Sequence, residues 1–321
     1  MESPLPPPPL LSADQYRNWL DLPREVTASI LRRLDVIEIL TSAQKVCMLW
    51  RSICKDPSMW RMINMGYVRN RWSLPYDLDQ MCRHAVDLSC GQLVGIKLGW
   101  VCTVPLLEYI TESSSRLRYL EVAWCYILSV KEWCEANIPL LEELELSDCC
   151  LGTETVLKAV GRSCPHLKSL KLRSKYYWGD PFKGCDLWAV TIAENMPGLV
   201  SLLLVGNELT NDGLQAILDG CPHLQSLELI WRCRHVSMEG DFGRKCSERI
   251  KNFRFHCFSD QEFEKILKDG GYYNYEEDDC NDYENFGLDQ DIEDYLEDYF
   301  NAYENFRLEY IEDGVVLNSF V

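Results

Sequence analysis

The sequence predicts an α/β chain: a small helical unit at the N-terminus, then a solenoid of about seven strand-and-helix repeats, then an acidic C-terminal tail. Three observations carry this expectation. A Leu-x-x-Leu-x-Leu pattern recurs through the middle of the chain, apolar helical stripes with two tryptophans precede it, and carboxylates crowd the end. With 47% hydrophobic residues in 321, the chain has enough apolar material for a proper core.

Residues 1–17 are Pro-rich and are expected to be disordered. They lack the basic start and continuous apolar stretch of a secretory signal, and no apolar run in the chain approaches the about 20 residues that span a bilayer. A cytoplasmic or nuclear protein is expected. Residues 18–64 carry the helical signals. Behind Pro23, which presets the backbone angle of a first turn, Val26, Ile30 and Leu34 fall four apart on one face. Val46, Leu49, Trp50 and Ile53 form the stripe of another helix. Residues 65–92 follow as a helical linker and cap.

The repeats occupy residues 93–268. Their apolar triads are Leu93/Ile96/Leu98, Leu117/Leu120/Val122, Leu141/Leu144/Leu146, Leu167/Leu170/Leu172, Leu199/Leu202/Leu204, Leu224/Leu227/Leu229 and Ile250/Phe253/Phe255. First positions are 24, 24, 26, 32, 25 and 26 residues apart, inside or near the leucine-rich-repeat range except at one insertion. Three copies extend the pattern with Cys125, Cys149 and Asn207, then Ile127, Leu151 and Leu209. Alternate residues of a strand share a side, and one short strand cannot bury its leucines alone, so stacking closes the core. Amphipathic stretches such as Glu154 to Ser163 and Asp212 to Asp219 are the expected outer helices.

Sixteen cysteines without an export signal suggest reduced, buried thiols in place of disulfides. Cys-Pro-His-Leu occurs twice, at Cys164 to Leu167 and Cys221 to Leu224, in one phase of the repeat, which points to a structural connection where proline stops a helix and cysteine packs inward. There is no Cys-x-x-Cys pair, and no His stands beside an evident nucleophile and orienting acid. No cofactor, metal or catalytic residue is expected. From Asp269 onward 17 acidic residues face one basic residue, Arg307, so most of the formal charge of -18 belongs to the tail, residues 269–321. Within it Leu288, Ile292, Tyr295, Tyr299, Tyr303, Phe306 and Tyr310 recur every three or four residues, a stripe for a marginal helix opposed by acid repulsion.

Residues 20–63 resemble the F-box. The matching signals are Leu22-Pro23 with Glu25-Val26, Ile30-Leu31-x-x-Leu34, Val46-Cys47-x-x-Trp50-Arg51, and Asp56-Pro57 leading to Trp60-Arg61. The continuation through Tyr76-Asp77-Leu78, Met81 to Asp87 and Ser89 to Leu93 is similar to plant F-box/leucine-rich-repeat proteins, and the likeness extends over about 20–258. The long fourth interval and the acidic tail depart from it. The resemblance implies that Leu22, Pro23, Val26, Leu31, Leu34, Leu40, Val46 and Trp50 build the helices that bind a Skp1-like adaptor, some as contacts and some as core. Through that adaptor it implies cullin and RING subunits of an SCF-type ubiquitin ligase, with this chain as a non-catalytic substrate receptor. The alternative is an acidic repeat protein that binds or shields basic partners. Nucleic acid and membrane are not expected as partners.

Target-binding residues are expected on the inner face of the arc. One column reads Lys97, Glu121, Glu145, Lys171, Leu203, Glu228, Arg254, and another reads Trp100, Trp124, Asp148, Ser174, Gly206, Trp231, Cys257. The second position is taken to alternate away from the leucines, so Trp100, Trp124 and Trp231 become interface anchors, beside Glu121 and Lys171. Packing under neighbouring loops is the competing use. Charge matching of Glu142 with Lys168 and of Glu145 with Lys171 suggests internal ion pairs. The inserted loop from Lys175 to Phe182 adds Tyr177 and Trp178 as candidates.

Overall fold

The computed structural model describes residue 19 and residues 22–66, 75–123, 125, 138–147, 149, 154–173, 186–206, 209–230, 235–238 and 240–256. The Pro-rich start and the acidic tail lie outside the described residues.

The N-terminal unit is helical. Helix α1 (Arg24–Leu31) is followed by α2 (Val36–Glu38), a π-turn over Ile39–Ala43, α3 (Gln44–Val46) and α4 (Met48–Cys54), and a 3₁₀ turn, Pro57–Trp60, closes it. Short side chains punctuate this path: Asp35 caps α2 by accepting the Glu38 N–H at 2.6 Å, and Asp56 caps the final turn by accepting the Ser58 N–H at 3.0 Å. Trp60 is buried, and its indole N–H is satisfied by the Cys54 carbonyl at 2.7 Å.

One parallel sheet follows, its eight strands in chain order: β1 (Met62–Met65), β2 (Gly95–Leu98), β3 (Tyr119–Ala123), β4 (Glu143–Ser147), β5 (Ser169–Arg173), β6 (Ser201–Val205), β7 (Ser226–Ile230) and β8 (Asn252–His256). Helices α5 (Leu78–Leu88), α6 (Val104–Ser113), α7 (Glu154–Ser163), α8 (Leu187–Asn195), α9 (Asn211–Gly220) and α10 (Asp241–Arg249) lie one each between successive strands, apart from the β3–β4 connection, most of which lies outside the described residues. Strands β2–β8 fall on the Leu-x-x-Leu-x-Leu segments, and the two predicted outer helices coincide with α7 and α9 to within a residue. Strand β1 is an addition. It pairs with β2 in register Ile63↔Ile96 and Met65↔Leu98, spanning the boundary expected between the helical unit and the linker. The cause is a two-residue alternation, Ile63 and Met65 buried with Met62 and Asn64 exposed, too short to register as a repeat.

The leucines stack in rows. Leu120, Leu144, Leu170, Leu202 and Leu227 are partners across successive strands and all are at most 1% exposed. Each contributes roughly 1.5–3 kcal/mol by leaving water. The core they form is continuous with Leu31, Ile53 and Trp60 of the helical unit.

Polar side chains tie one repeat to the next. Buried Cys125 donates its thiol to the Cys102 carbonyl at 3.2 Å, and Cys149 donates to the Val122 carbonyl at 3.4 Å, so these predicted ladder positions reach backbone carbonyls of the preceding repeat. On the helical side Asp186, just before α8, accepts the Thr210 N–H at 2.8 Å and the Thr210 hydroxyl, fixing the cap of α9. A Cβ at Gly213 would stand 2.0 Å from an Asp186 carboxylate oxygen, so this clamp requires glycine there. The turns after β1 and β2 also meet backbone to backbone: a Cβ at Gly99 would stand 2.0 Å from the Gly66 carbonyl oxygen. In both Cys-Pro-His-Leu segments the cysteine is buried at the helix exit and the histidine is exposed.

Candidate functional site

The predicted contact residues fall on two surfaces: the outside of the helical unit and the face of the sheet that carries the column from Lys97 to Arg254. The first is set by how α1 enters. Pro23 stands one residue before α1 with φ -53° and ψ 145°, at the cap instead of in the first turn, and its carbonyl accepts both the Thr27 N–H at 3.0 Å and the Thr27 hydroxyl at 3.2 Å. The buried line of α1 is therefore Thr27 and Leu31. Val26 and Ile30, expected to share one face with Leu34, sit about 100° round the helix from that line, and Leu34 lies beyond the helix end. Arg24 fastens α1 to α4 through the Ser52 hydroxyl at 2.8 Å and Asp56 at 3.4 Å.

The second predicted stripe is also divided. Cys47 is extended, with φ -157° and ψ 173°, and its sulfur accepts the Trp50 N–H at 3.4 Å, so Val46 ends α3 while Leu49, Trp50 and Ile53 belong to α4. The structure thereby sorts the eight residues. Leu31 and Leu40 are core, Leu22, Leu34 and Trp50 are half-buried, and Pro23, Val26 and Val46 are exposed. Val26 is 44% and Val46 61% exposed, and Met48, which was not among the predicted residues, exceeds both at 89%. An apolar side chain off the Leu49–Trp50–Ile53 stripe was the available signal.

On the inner face the first predicted column is a true register: Lys97↔Glu121, Glu121↔Glu145, Glu145↔Lys171, Lys171↔Leu203, Leu203↔Glu228 and Glu228↔Arg254. Its charges are committed to one another. Lys97 lies 2.8 Å from Glu121, which also accepts the Tyr119 hydroxyl at 2.5 Å. Glu145 is held by Arg173 at 2.6 Å and Lys171 at 3.3 Å, and Arg254 lies 3.8 Å from Glu228. Glu121 and Glu145 are 3% and 4% exposed, far below ordinary surface carboxylates. Burial, then the neighbouring Glu121, push the Tyr119 phenol well above its usual range, so it stays protonated and donates. At the strand entries Glu142 bridges Arg118 and Lys168, the latter at 2.8 Å, and these pairings hold its carboxyl below the usual range.

Of the tryptophans in the second column only Trp100 is described. Trp100 is half-buried in the turn after β2, and a residue two beyond Leu98 has the parity of the leucines, so alternation does not carry it to the polar face. Trp124, Tyr177, Trp178 and Trp231 lie outside the described residues.

Burial also governs the thiols. Cys82 is pushed up to about 12 by desolvation and then by nearby Asp79, and burial raises Cys164 to about 12 and Cys221 to about 11. At neutral pH these are protonated core side chains, poor nucleophiles and poor ligands. Among the described residues no group of three His, Cys, Asp or Glu side chains is arranged to hold a metal ion, and no helix is long and apolar enough to cross a membrane.

Comparison with known proteins places a match to the F-box-like domain at residues 19–65. Putative F-box/LRR-repeat protein 23 of Arabidopsis thaliana is 46% identical over 251 residues, 78% of this chain and 56% of its own length. F-box protein SKIP19 of the same plant is 45% identical over 255 residues, covering 79% of this chain and 82% of that protein. Putative F-box/LRR-repeat protein 22, also from Arabidopsis thaliana, is 44% identical over 272 residues, 84% and 83% of the two chains. The chain thus spans little more than half of the first of these relatives and over four fifths of the other two.

Proposed function

This chain belongs to the F-box/leucine-rich-repeat proteins of plants, and we propose that it is the substrate-recognition subunit of an SCF-type ubiquitin ligase. The observation that carries the reading is the set of exposed apolar side chains on the helical unit. Val26, Val46 and Met48 stand in water while Leu31, Leu40, Ile53 and Trp60 complete a core behind them, as expected of a module whose greasy side is covered by a Skp1-like adaptor. Cullin and RING subunits join through that adaptor. The chain acts by tethering: it holds a target near a charged conjugating enzyme and raises the target's effective concentration, supplying no acid, base or nucleophile.

The target sits on the inner face of the arc. Glu121 and Lys171 belong there to an ion-paired belt; Lys97 and Arg254, paired with Glu121 and Glu228, are its more exposed members and, with the loops that follow the strands, serve as contact points. We place the protein in the cytoplasm or nucleus; the buried, reduced thiols of Cys82, Cys164 and Cys221 support a reducing compartment.

Co-purification with a Skp1-like adaptor tests the reading. The intact chain is expected to bind. Val46→Glu/Met48→Glu, which alters exposed positions only, and Leu22→Ala/Pro23→Ala are each expected to weaken binding more than about tenfold, since burying one such apolar side chain is worth about 1.5–3 kcal/mol. Equal binding by all three, with unchanged circular dichroism, overturns the proposal.

A further inference from the structure

Among the described residues the C-terminal edge of the sheet has no neighbouring strand. The Asn252 N–H donates to the Gln225 carbonyl at 2.9 Å, so by alternation the backbone groups of Phe253 and Phe255 point away from β7, and among the described residues no strand pairs with them. Their side chains are unfinished too. Phe253 and Phe255 are only half-buried, whereas Leu227 and Leu229, their partners in β7, are 0% and 1% exposed. A bare parallel edge over a half-covered core is a liability that solenoids cover.

The same end is basic. Between residues 240 and 256 Arg244, Lys245, Arg249, Lys251 and Arg254 face only Asp241 and Glu248. Lys245 and Lys251 are exposed and have no ion-pair partner among the described residues. A second copy of the chain would bring two such basic ends together, and like charges disfavour that contact. The complementary charge lies in the same polypeptide: 65 residues follow His256, and the acids among them begin in force at Asp269. The 12 residues from 257 to 268 reach up to about 40 Å when extended, enough to return to the edge.

We propose that the acidic aromatic tail, residues 269–321, folds back as the cap of this end. Its stripe of Ile292, Tyr295, Tyr299, Tyr303 and Phe306 covers Phe253 and Phe255, and its carboxylates engage Lys245 and Lys251. The short tether gives the tail an effective concentration near the millimolar range, so weak contacts suffice.

The test uses the full-length chain. Carbodiimide cross-linking joins a lysine to a carboxylate in contact; monomer-mass products linking Lys245 or Lys251 to carboxylates of 269–313 are expected, and 0.5 M salt should suppress them. Hydrogen exchange supplies a second measurement. In the intact chain the Phe253 and Phe255 amides should exchange at least about tenfold more slowly than in Lys245→Glu/Lys251→Glu, while β3–β5 amides are unchanged. Dimer-mass links, the mark of a second copy, overturn the proposal, as do links absent at low salt. Phe253 and Phe255 amides that exchange at unstructured rates in the intact chain also overturn it and leave the tail for a basic partner.

Discussion

Glu145→Ala should cost the solenoid about 3 kcal/mol, and the figure follows from what the carboxylate holds. Glu145 is 4% exposed and lies 2.6 Å from Arg173, whose side chain is 8% exposed. Removing one partner of a buried pair leaves the other charge uncompensated, at a cost of about 3–5 kcal/mol. Lys171, 29% exposed by side chain, is well solvated and adds at most about 1 kcal/mol. Working the other way, Glu121 stands in register beside Glu145, so the substitution relieves a like-charge neighbour, which favours the low end. The pair can be isolated by comparison with Arg173→Ala and the double variant, which should lose less than the two single losses added together. Urea unfolding gives the free energy, and hydrogen exchange across β3–β5 reports whether repeats open locally before the whole arc does. Glu143→Ala, exposed on the same strand, serves as control with an expected effect under about 0.5 kcal/mol. A loss at Glu145 no larger than at Glu143 would refute the reasoning, because Arg173 would then not depend on this carboxylate.

Three further outcomes are expected. Gly213→Ala should displace Asp186 from Thr210 and lower stability by about 1–3 kcal/mol, seen in the unfolding midpoint; an unchanged midpoint would mean that the clamp has slack. The Asp56 carboxyl is held below the usual carboxylate range by the Ser58 N–H and hydroxyl and then by Arg24. A depressed folded pKa contributes stability that is complete above the unfolded value and lost as pH falls through the folded one, so acid titration of the helical unit below about pH 4 should be shallower in Asp56→Ala than in the intact chain. Among the described cysteines, exposed Cys90 should be alkylated in the native protein at neutral pH, while Cys82, Cys102, Cys164 and Cys221 react only after unfolding; mass mapping of the modified peptides checks this.

The arc was legible because its signal is redundant. A leucine triad fixes both the strand and its phase, and once the phase is fixed the neighbour of every inner-face residue follows, which is why the column from Lys97 to Arg254 and the Glu145–Lys171 pair could be written down before any coordinates. Signals that occur once were harder. Strand β1 offers two alternating apolar residues and no repeat, and the break at Cys47 depends on a backbone angle that no periodicity shows. Which F-box residues face water was hidden for a related reason: one position along a helix is about 100°, so Thr27 can replace Val26 in the core without disturbing the apolar pattern. Trp100 failed on parity, a property of strands that ends where the strand ends.

Because β1 is the first strand of the sheet as well as the exit from the helical unit, the two parts are joined without a hinge. Whatever rests on the arc therefore keeps a fixed bearing to whatever grips Val46 and Met48, like a load on a bracket bolted at one end. Moving that load nearer or farther would take a change in the number or curvature of the strands, since no slack connection exists between the described parts to absorb it.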